Sequence, residues 1–147
     1  MDGKSIYKYT LNREKVSEVS DGIYMTQPEK VAEFLRSMGL AQEEQEHLVV
    51  LTLNPGNAIT GYYTVTIGLV NQAQAAGREV FRKAIVANAT GIIMAHNHPS
   101  GRCDPSTDDI RLTSLMRDAG KVVDIPLLDH VIVCENSYFS FREKSIL

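Results

Sequence analysis

The apolar run from His47 to Leu53 restricts the fold of this chain more than any other segment. Its sequence is His-Leu-Val-Val-Leu-Thr-Leu, and it stops at the turn residues Asn54-Pro55-Gly56-Asn57. A short apolar run bounded by turn residues is typical of a buried β-strand. Residues 62–67 are rich in β-branched side chains and predict a second strand, the antiparallel neighbour of the first. The predicted fold is therefore built on a sheet.

The segment before this sheet carries the signals of an amphipathic helix. Thr26 and Glu29 have the spacing of a capping box, and Pro28 suits the first helical turn. Gly39 is the predicted stop signal. The residues predicted to face the core recur at helical spacing and are Val31, Phe34, Leu35 and Met38.

Two more helices and several short strands are predicted further along the chain. Gly77 precedes one helix; Ser106 opens the other, which is predicted to end at Gly120. The predicted strands are residues 91–95, 125–128, 131–133 and 138–141. The residues predicted to face inwards are Phe81, Ala84, Ile85 and Asn88 in the first of these helices, and Leu112, Leu115, Met116 and Ala119 in the second.

Interleaved helices and strands predict an α/β or α+β class with a mixed sheet. The chain has 147 residues, of which 44% are hydrophobic and 22% charged, as in an ordinary globular domain. We expect residues 1–25 to be an N-terminal extension, with one strand near residues 7–11, and residues 26–147 to form a single domain.

The charge pattern argues against a dedicated nucleic-acid surface. Net charge is −3, and the densest basic group, Arg78, Arg82 and Lys83, includes Glu79 and predicts a solvated helix face. No apolar run approaches the ~20 residues that span a bilayer, and the first residues lack the apolar stretch of a secretory signal. A cytoplasmic protein without a membrane partner is therefore expected.

The two cysteines, Cys103 and Cys134, are too few for a disulfide framework, and neither has a partner at CxxC spacing. Cys134 ends an apolar run and is predicted to be a small buried hydrophobe. Cys103 has three interpretations: a thiolate near a metal, a redox-sensitive group, or a solvent-facing loop residue without function. The last is favoured, because nothing else in the sequence marks Cys103 as a low-pKa thiol.

The segment 96–109 carries the candidate chemistry. His96 and His98 are two apart at the end of a predicted strand, so both imidazoles project to one side and can bind one ion. A helix starting at Ser106 places Asp109 at about its third residue, on the same face as Leu112 and directed towards the sheet. Two imidazoles, one carboxylate and a free position are the ligand pattern of catalytic zinc.

Each part of this pattern also has an ordinary explanation. With four histidines in the chain, an H-x-H pair arises by chance with a probability of roughly a tenth. Ser106 and Asp109 could simply cap a helix, and a carboxylate near a helix start stabilises the helix dipole without any metal. The combination at this spacing favours the metal site.

The motif H-x-H-P, followed by six residues and then S-x-x-D, resembles the signature of the JAMM (MPN+, Mov34/JAB) metalloproteases. His96, His98, Pro99, Ser106 and Asp109 match it. More narrowly, the chain resembles the catalytic-type domain of the RadC family over roughly residues 27–147. The matching segments are residues 46–51, 78–82, 87–89, 95–101, 109–113, 128–133 and 138–143.

The resemblance implies a curved mixed sheet flanked by helices, the MPN or cytidine-deaminase-like fold. It also implies a Zn²⁺ metallopeptidase acting on peptide or isopeptide bonds of a protein or peptide substrate. His96, His98 and Asp109 would bind the zinc, and Ser106 would hydrogen-bond the oxyanion or the catalytic water. Glu46, which precedes the strand at His47–Leu53, would be the general base. Composition does not distinguish it from Glu43 and Glu44.

Two alternative functions remain open. One is a non-catalytic metal-binding MPN scaffold; the other is hydrolytic deamination, which expects H-x-E and P-C-x-x-C, motifs that this sequence lacks. RadC proteins commonly carry a helix-hairpin-helix region, for which residues 1–25 are too short. A role as a DNA-repair-associated interaction module is therefore not carried over.

Several neighbouring residues receive minor predictions. Asp129 and His130 either orient a ligand imidazole as a pair, or His130 is a hydrogen-bonded histidine at a strand edge, which is slightly favoured. His47 and Asn97 are expected to point away from the site. The remaining predictions are a flexible loop at residues 71–77 and exposed carboxylates at Asp104 and Asp108.

Overall fold

The computed structural model describes residues 3–70 and 76–147, which form a five-stranded mixed sheet with three α-helices. This is the α/β class expected from the sequence. The elements in chain order are α1 (Pro28–Ser37), a 3₁₀ turn (Leu40–Gln42), β1 (His47–Leu53), β2 (Ile59–Ile67), α2 (Gly77–Val86), β3 (Gly91–Asn97), α3 (Thr107–Val123), β4 (Leu127–Val133) and β5 (Tyr138–Ser140).

The sheet has the strand order β2-β1-β3-β4-β5. All neighbouring strands are antiparallel except β3 and β4, which are parallel and joined by the crossover helix α3. Helices α2 and α3 cover one face of the sheet, and α1 covers the other. Strands β1 and β3 are therefore buried on both faces, which explains why their sequences are almost continuously apolar.

Helix α1 begins differently from the prediction. Gln27 is the N-cap, and no side chain caps the helix, so the predicted Thr26–Glu29 capping box is wrong. Pro28 explains the difference: the residue before a proline is restricted to extended backbone, which makes Gln27 the last non-helical residue. Thr26 then lies one position too early to cap. Gly39 follows the helix with a positive φ of 88°, in agreement with a stop signal at this position.

The buried faces of α2 and α3 also differ in part from the predicted faces. Val80 is buried in α2, whereas Ile85 is 55% exposed and Asn88 lies beyond the helix end. In α3, Leu115 is 47% exposed, whereas Thr113, which was not predicted to face inwards, is buried. Tertiary packing selects a slightly rotated face of each helix, which apolar spacing alone did not resolve.

Gly120 does not end α3, because the helix continues to Val123. A Cβ atom at residue 120 would lie 2.6 Å from the carbonyl oxygen of Ile125. A glycine at residue 120 therefore allows the chain after α3 to pack closely against the helix. The prediction that Gly120 ends the helix is wrong, because this close packing explains the glycine.

Two strand predictions are corrected. The predicted strands at 125–128 and 131–133 are one strand, β4, and residues 7–11 form no strand in the described part of the chain. None of the helices among the described residues combines the length and apolar character needed to cross a membrane.

Candidate metal centre

His96 and His98 are brought together at the end of β3. His96 points towards α3, because alternate residues of β3 face that helix, and His98 follows the last strand residue. The Nε2 atoms of the two imidazoles lie 2.9 Å apart. The Nδ1 atom of His98 lies 2.6 Å from the carbonyl oxygen of Arg102 and must donate to it, so in the neutral imidazole the lone pair is on Nε2.

Asp109 is the third residue of α3 and is almost fully buried. It completes a capping box with Ser106: the Asp109 N–H donates to Ser106 Oγ at 3.0 Å, and the Ser106 N–H donates to Asp109 Oδ2 at 2.9 Å. The same carboxylate reaches both histidines, with Oδ1 3.3 Å from His96 Nε2 and Oδ2 3.1 Å from His98 Nε2. Helix capping and ligand geometry are therefore combined in one side chain.

The donor atoms fit a tetrahedral divalent ion. The ligand atoms of His96, His98 and Asp109 converge from the end of β3 and the start of α3: the two Nε2 atoms are 2.9 Å apart, Asp109 Oδ1 is 3.3 Å from His96 Nε2, and Asp109 Oδ2 is 3.1 Å from His98 Nε2. Ligands at ~2.1 Å from a tetrahedral ion lie about 3.4 Å from one another, so only small adjustments are needed. Two nitrogens and one carboxylate oxygen are the donor set that zinc accepts readily.

The electrostatics of the cluster reflect this convergence. Burial alone would raise the pKa of Asp109, but the imidazoles of His96 and His98, which face its carboxylate, lower that pKa far below its ordinary range. Burial opposes the charged form of His98, yet the Asp109 carboxylate and the Arg102 carbonyl outweigh it and raise the pKa of His98. The carboxylate at residue 109 is thus ionised, as a metal ligand must be.

Glu46 precedes β1 and lines a cavity of about 300 Å³ together with His98, Ser106 and Asp109. One carboxylate oxygen, Oε2, accepts a hydrogen bond from the Val70 N–H at 2.9 Å, which orients the side chain. Asp104 and Asp108 also line this cavity but are exposed, as predicted.

The structure separates Glu46 from its acidic neighbours. Glu43 lies 3.7 Å from the imidazole of His47 and lines a different depression, next to α1. Asn97 accounts for this arrangement: its Oδ1 accepts from the His47 N–H at 2.7 Å, and its Nδ2 donates to the Gln45 carbonyl at 2.9 Å. Sequence reasoning placed Asn97 away from the two histidines and missed that its side chain holds the backbone on both sides of Glu46.

His130 lies against the cluster. It is fully buried, its Nε2 is 2.7 Å from His96 Nδ1, and burial lowers its pKa well below the ordinary value. Strand β4 lies between β3 and β5, so the slightly favoured prediction of a histidine at a strand edge is wrong. Asp129 does not reach the imidazoles: its carboxylate accepts from Ser140 Oγ and from the backbone N–H groups of His130 and Arg142.

Comparison with known proteins identifies the family. A family model described as "RadC-like JAB domain" matches residues 25–146. The chain belongs to the RadC family. This confirms the resemblance drawn from the sequence, and the mixed sheet with three helices is consistent with the MPN/JAB fold.

Curated relatives of this RadC-family domain are between 41% and 48% identical to it over the aligned residues. A "UPF0758 protein" of Chlorobium luteolum is 47% identical over 74% of this chain and 48% of its own length. A UPF0758 protein of Picosynechococcus sp. is 41% identical over 87% of this chain and 52% of its own length. The chain thus spans about half the length of the curated relatives it matches, and their names state no activity.

The cysteines of this RadC-family domain are bonded to one another. Cys103, in the loop between His98 and Ser106, forms a disulfide with Cys134, which follows β4; the Cα atoms are 6.0 Å apart. Cys134 is buried, as predicted, but the expectation that the two cysteines are independent of one another is wrong. The two cysteines are 31 positions apart in the sequence, and only the fold brings them together.

The predicted flexible loop at 71–77 lies mostly outside the described residues, since 71–75 are not described.

Proposed function

We propose that this chain is a zinc metallopeptidase that hydrolyses peptide or isopeptide bonds of a protein or peptide substrate. The observation that supports this most directly is the convergence of His96, His98 and Asp109 beside an open cavity, which His98, Asp109 and Glu46 line. Membership of a JAB family, which includes metalloproteases, adds weight to the same proposal.

The three ligands would leave one position of a tetrahedral ion facing the cavity. Zinc bound there would supply Lewis-acid polarisation of the scissile carbonyl and would lower the pKa of a water molecule. His96 and Asp109 are buried, so the low-dielectric surroundings favour a bound cation beside the carboxylate. His98 is partly exposed and forms the rim through which a substrate would approach.

Glu46 is suited to proton transfer in this cavity. The Val70 N–H holds Oε2, and among the described residues no group is bonded to Oε1, which would accept a proton from the attacking water. The same carboxyl group would then return that proton to the leaving amine. The side chain of Asn97, which hydrogen-bonds the backbone of His47 and of Gln45, holds Glu46 beside the cavity at the start of β1.

Ser106 is placed to stabilise negative charge. Its Oγ accepts from the Asp109 N–H, a bond that leaves the hydroxyl hydrogen available to donate into the cavity. Donation to an oxygen that gains negative charge in the transition state could contribute ~3 kcal/mol.

The test combines metal analysis with turnover. The purified chain is expected to hold about one zinc per molecule and to cleave members of a mixed peptide and isopeptide-linked library. Glu46→Gln should keep the zinc and lose 10²- to 10⁴-fold in kcat, the usual contribution of a general base. Glu44→Gln, an exposed neighbour that does not line the cavity, is the matched control and should behave like the parent. Turnover that survives in Glu46→Gln, or a metal-loaded chain that cleaves neither kind of bond, would contradict the proposal.

A further inference from the structure

Three buried hydrogen bonds connect one candidate ligand to another behind the metal position. They run from the backbone carbonyl of Asp109 to Thr113, from Thr113 to His130, and from His130 to His96. We infer that Thr113 and His130 are positioning residues that keep the proton of His96 on Nδ1 and direct its Nε2 lone pair at the metal. This inference rests on the proposed metal site, since it concerns the orientation of one of its ligands.

The direction of the first bond follows from its two oxygen atoms. Thr113 Oγ1 lies 2.7 Å from the carbonyl oxygen of Asp109, and two oxygens at this distance need a hydrogen between them. The carbonyl carries none, so the threonine hydroxyl donates. Its single hydrogen is thereby used, and Thr113 Oγ1 can only accept from His130 Nδ1, 2.6 Å away.

The same reasoning determines the protons on both imidazoles. His130 carries its proton on Nδ1, so its Nε2 has a lone pair directed at His96 Nδ1, 2.7 Å away. His96 must donate that bond, and a neutral imidazole with a proton on Nδ1 has a bare Nε2. That bare nitrogen is the atom 2.9 Å from His98 Nε2 and 3.3 Å from Asp109 Oδ1.

Burial protects these three hydrogen bonds from competition by water. His96 and His130 are fully buried and Thr113 is 2% exposed, so water does not compete for their polar atoms. The ring of Phe141 stacks on His130 with centroids 4.8 Å apart and an interplanar angle of 12°, which fixes the rotation of that imidazole. Metal-binding histidines need such a partner on the second ring nitrogen, and its loss commonly weakens metal binding.

The experiment measures tautomer and zinc affinity separately. Long-range ¹H–¹⁵N correlations on the metal-free, ¹⁵N-labelled chain report which ring nitrogen of His96 carries the proton. Competition with a chromophoric chelator gives the zinc Kd of Thr113→Val, which removes the hydroxyl without changing the shape of the side chain. Thr113→Ser keeps the hydroxyl. Thr52→Val is the matched control, because it removes a buried threonine hydroxyl of β1 that bonds to Thr60 instead.

We expect His96 to carry its proton on Nδ1, and Thr113→Val to raise the zinc Kd about 10- to 100-fold. Thr113→Ser and Thr52→Val should bind zinc like the parent. A His96 proton on Nε2 in the parent chain would overturn the inference, as would an unchanged zinc Kd in Thr113→Val. If Thr113→Val does not fold, the inference is tested by the His96 tautomer of the parent chain alone. A parent that binds zinc but hydrolyses nothing would contradict the proposed function and leave the tautomer result standing.

Discussion

The side-chain oxygen of Asn97 accepts a hydrogen bond from the backbone N–H of His47 at 2.7 Å. This bond crosses from the last residue of β3 to the first residue of β1 and lies one residue from Glu46. The amide nitrogen of Asn97 adds bonds to the carbonyls of Gln45 and Glu43. The candidate base is thereby tied to the strand that carries His96.

Replacing Asn97 should therefore reduce catalysis more than metal binding. In Asn97→Ala the backbone around Glu46 loses its three bonds, and we expect kcat to fall about 10- to 100-fold from misplacement of the carboxylate. The zinc Kd, set by other side chains, should stay near that of the parent. Steady-state kinetics and chelator competition on the same preparation measure both quantities.

Asn54→Ala is the control for that substitution. Asn54 also accepts two backbone N–H bonds, from Gly56 and Ala58, but at the opposite end of β1. Equal losses of kcat in both variants would mean that only general stability is affected, and the assigned role of Asn97 would be wrong.

Asp109→Asn is expected to lose zinc and some stability together. The amide is a much weaker zinc ligand than the carboxylate, and it also accepts less strongly from the Ser106 N–H in the capping box. We expect bound zinc to fall to background in metal analysis and the free energy of unfolding to fall by ~1 kcal/mol in urea titration. Asp108→Asn, the exposed neighbour in the same helical turn, should keep full zinc occupancy.

The Cys103–Cys134 bond predicts a redox-dependent stability. A bridge across 31 residues restricts the unfolded chain and should contribute about 3 to 4 kcal/mol by loop-closure entropy. Mass spectrometry without reductant should show a chain lighter by two hydrogens, and reduction should lower Tm. The double variant Cys103→Ser/Cys134→Ser should have the lower Tm with or without reductant. A parent whose mass and Tm do not respond to reductant would show that the bond does not form.

Gly120→Ala should destabilise the domain although alanine is the better helix former. The added Cβ would meet the Ile125 carbonyl at 2.6 Å, so the chain entering β4 must shift. We expect a loss of about 1 to 3 kcal/mol in urea unfolding, as for other overpacked sites. At Gly77, the first residue of α2, the nearest atom that a Cβ would meet among the described residues is 3.8 Å away, so Gly77→Ala should be neutral or slightly stabilising. A neutral Gly120→Ala would contradict the close packing.

Local patterns in the sequence were enough to predict the central strands of the sheet and the candidate metal ligands. The apolar runs of β1 and β3 are short, bounded by turn residues and continuous, which is what burial on both faces requires. His96 and His98 are two apart at a strand end, and Ser106 and Asp109 are three apart at a helix start. These spacings have direct geometric consequences, because the periods of strands and helices are known.

The contacts that support those ligands depended on tertiary structure. A register shift between β3 and β4 places His130, instead of its neighbours, on the face that carries His96. A one-residue shift in a strand moves a side chain to the other face, and no local pattern encodes it. The disulfide partner of Cys103, the backbone held by Asn97 and the buried Thr113 also come from distant segments. The sequence alone determined which residues could bind a metal, because local geometry suffices for that; the packing of α3 and β4 against β3 decided how those residues are held.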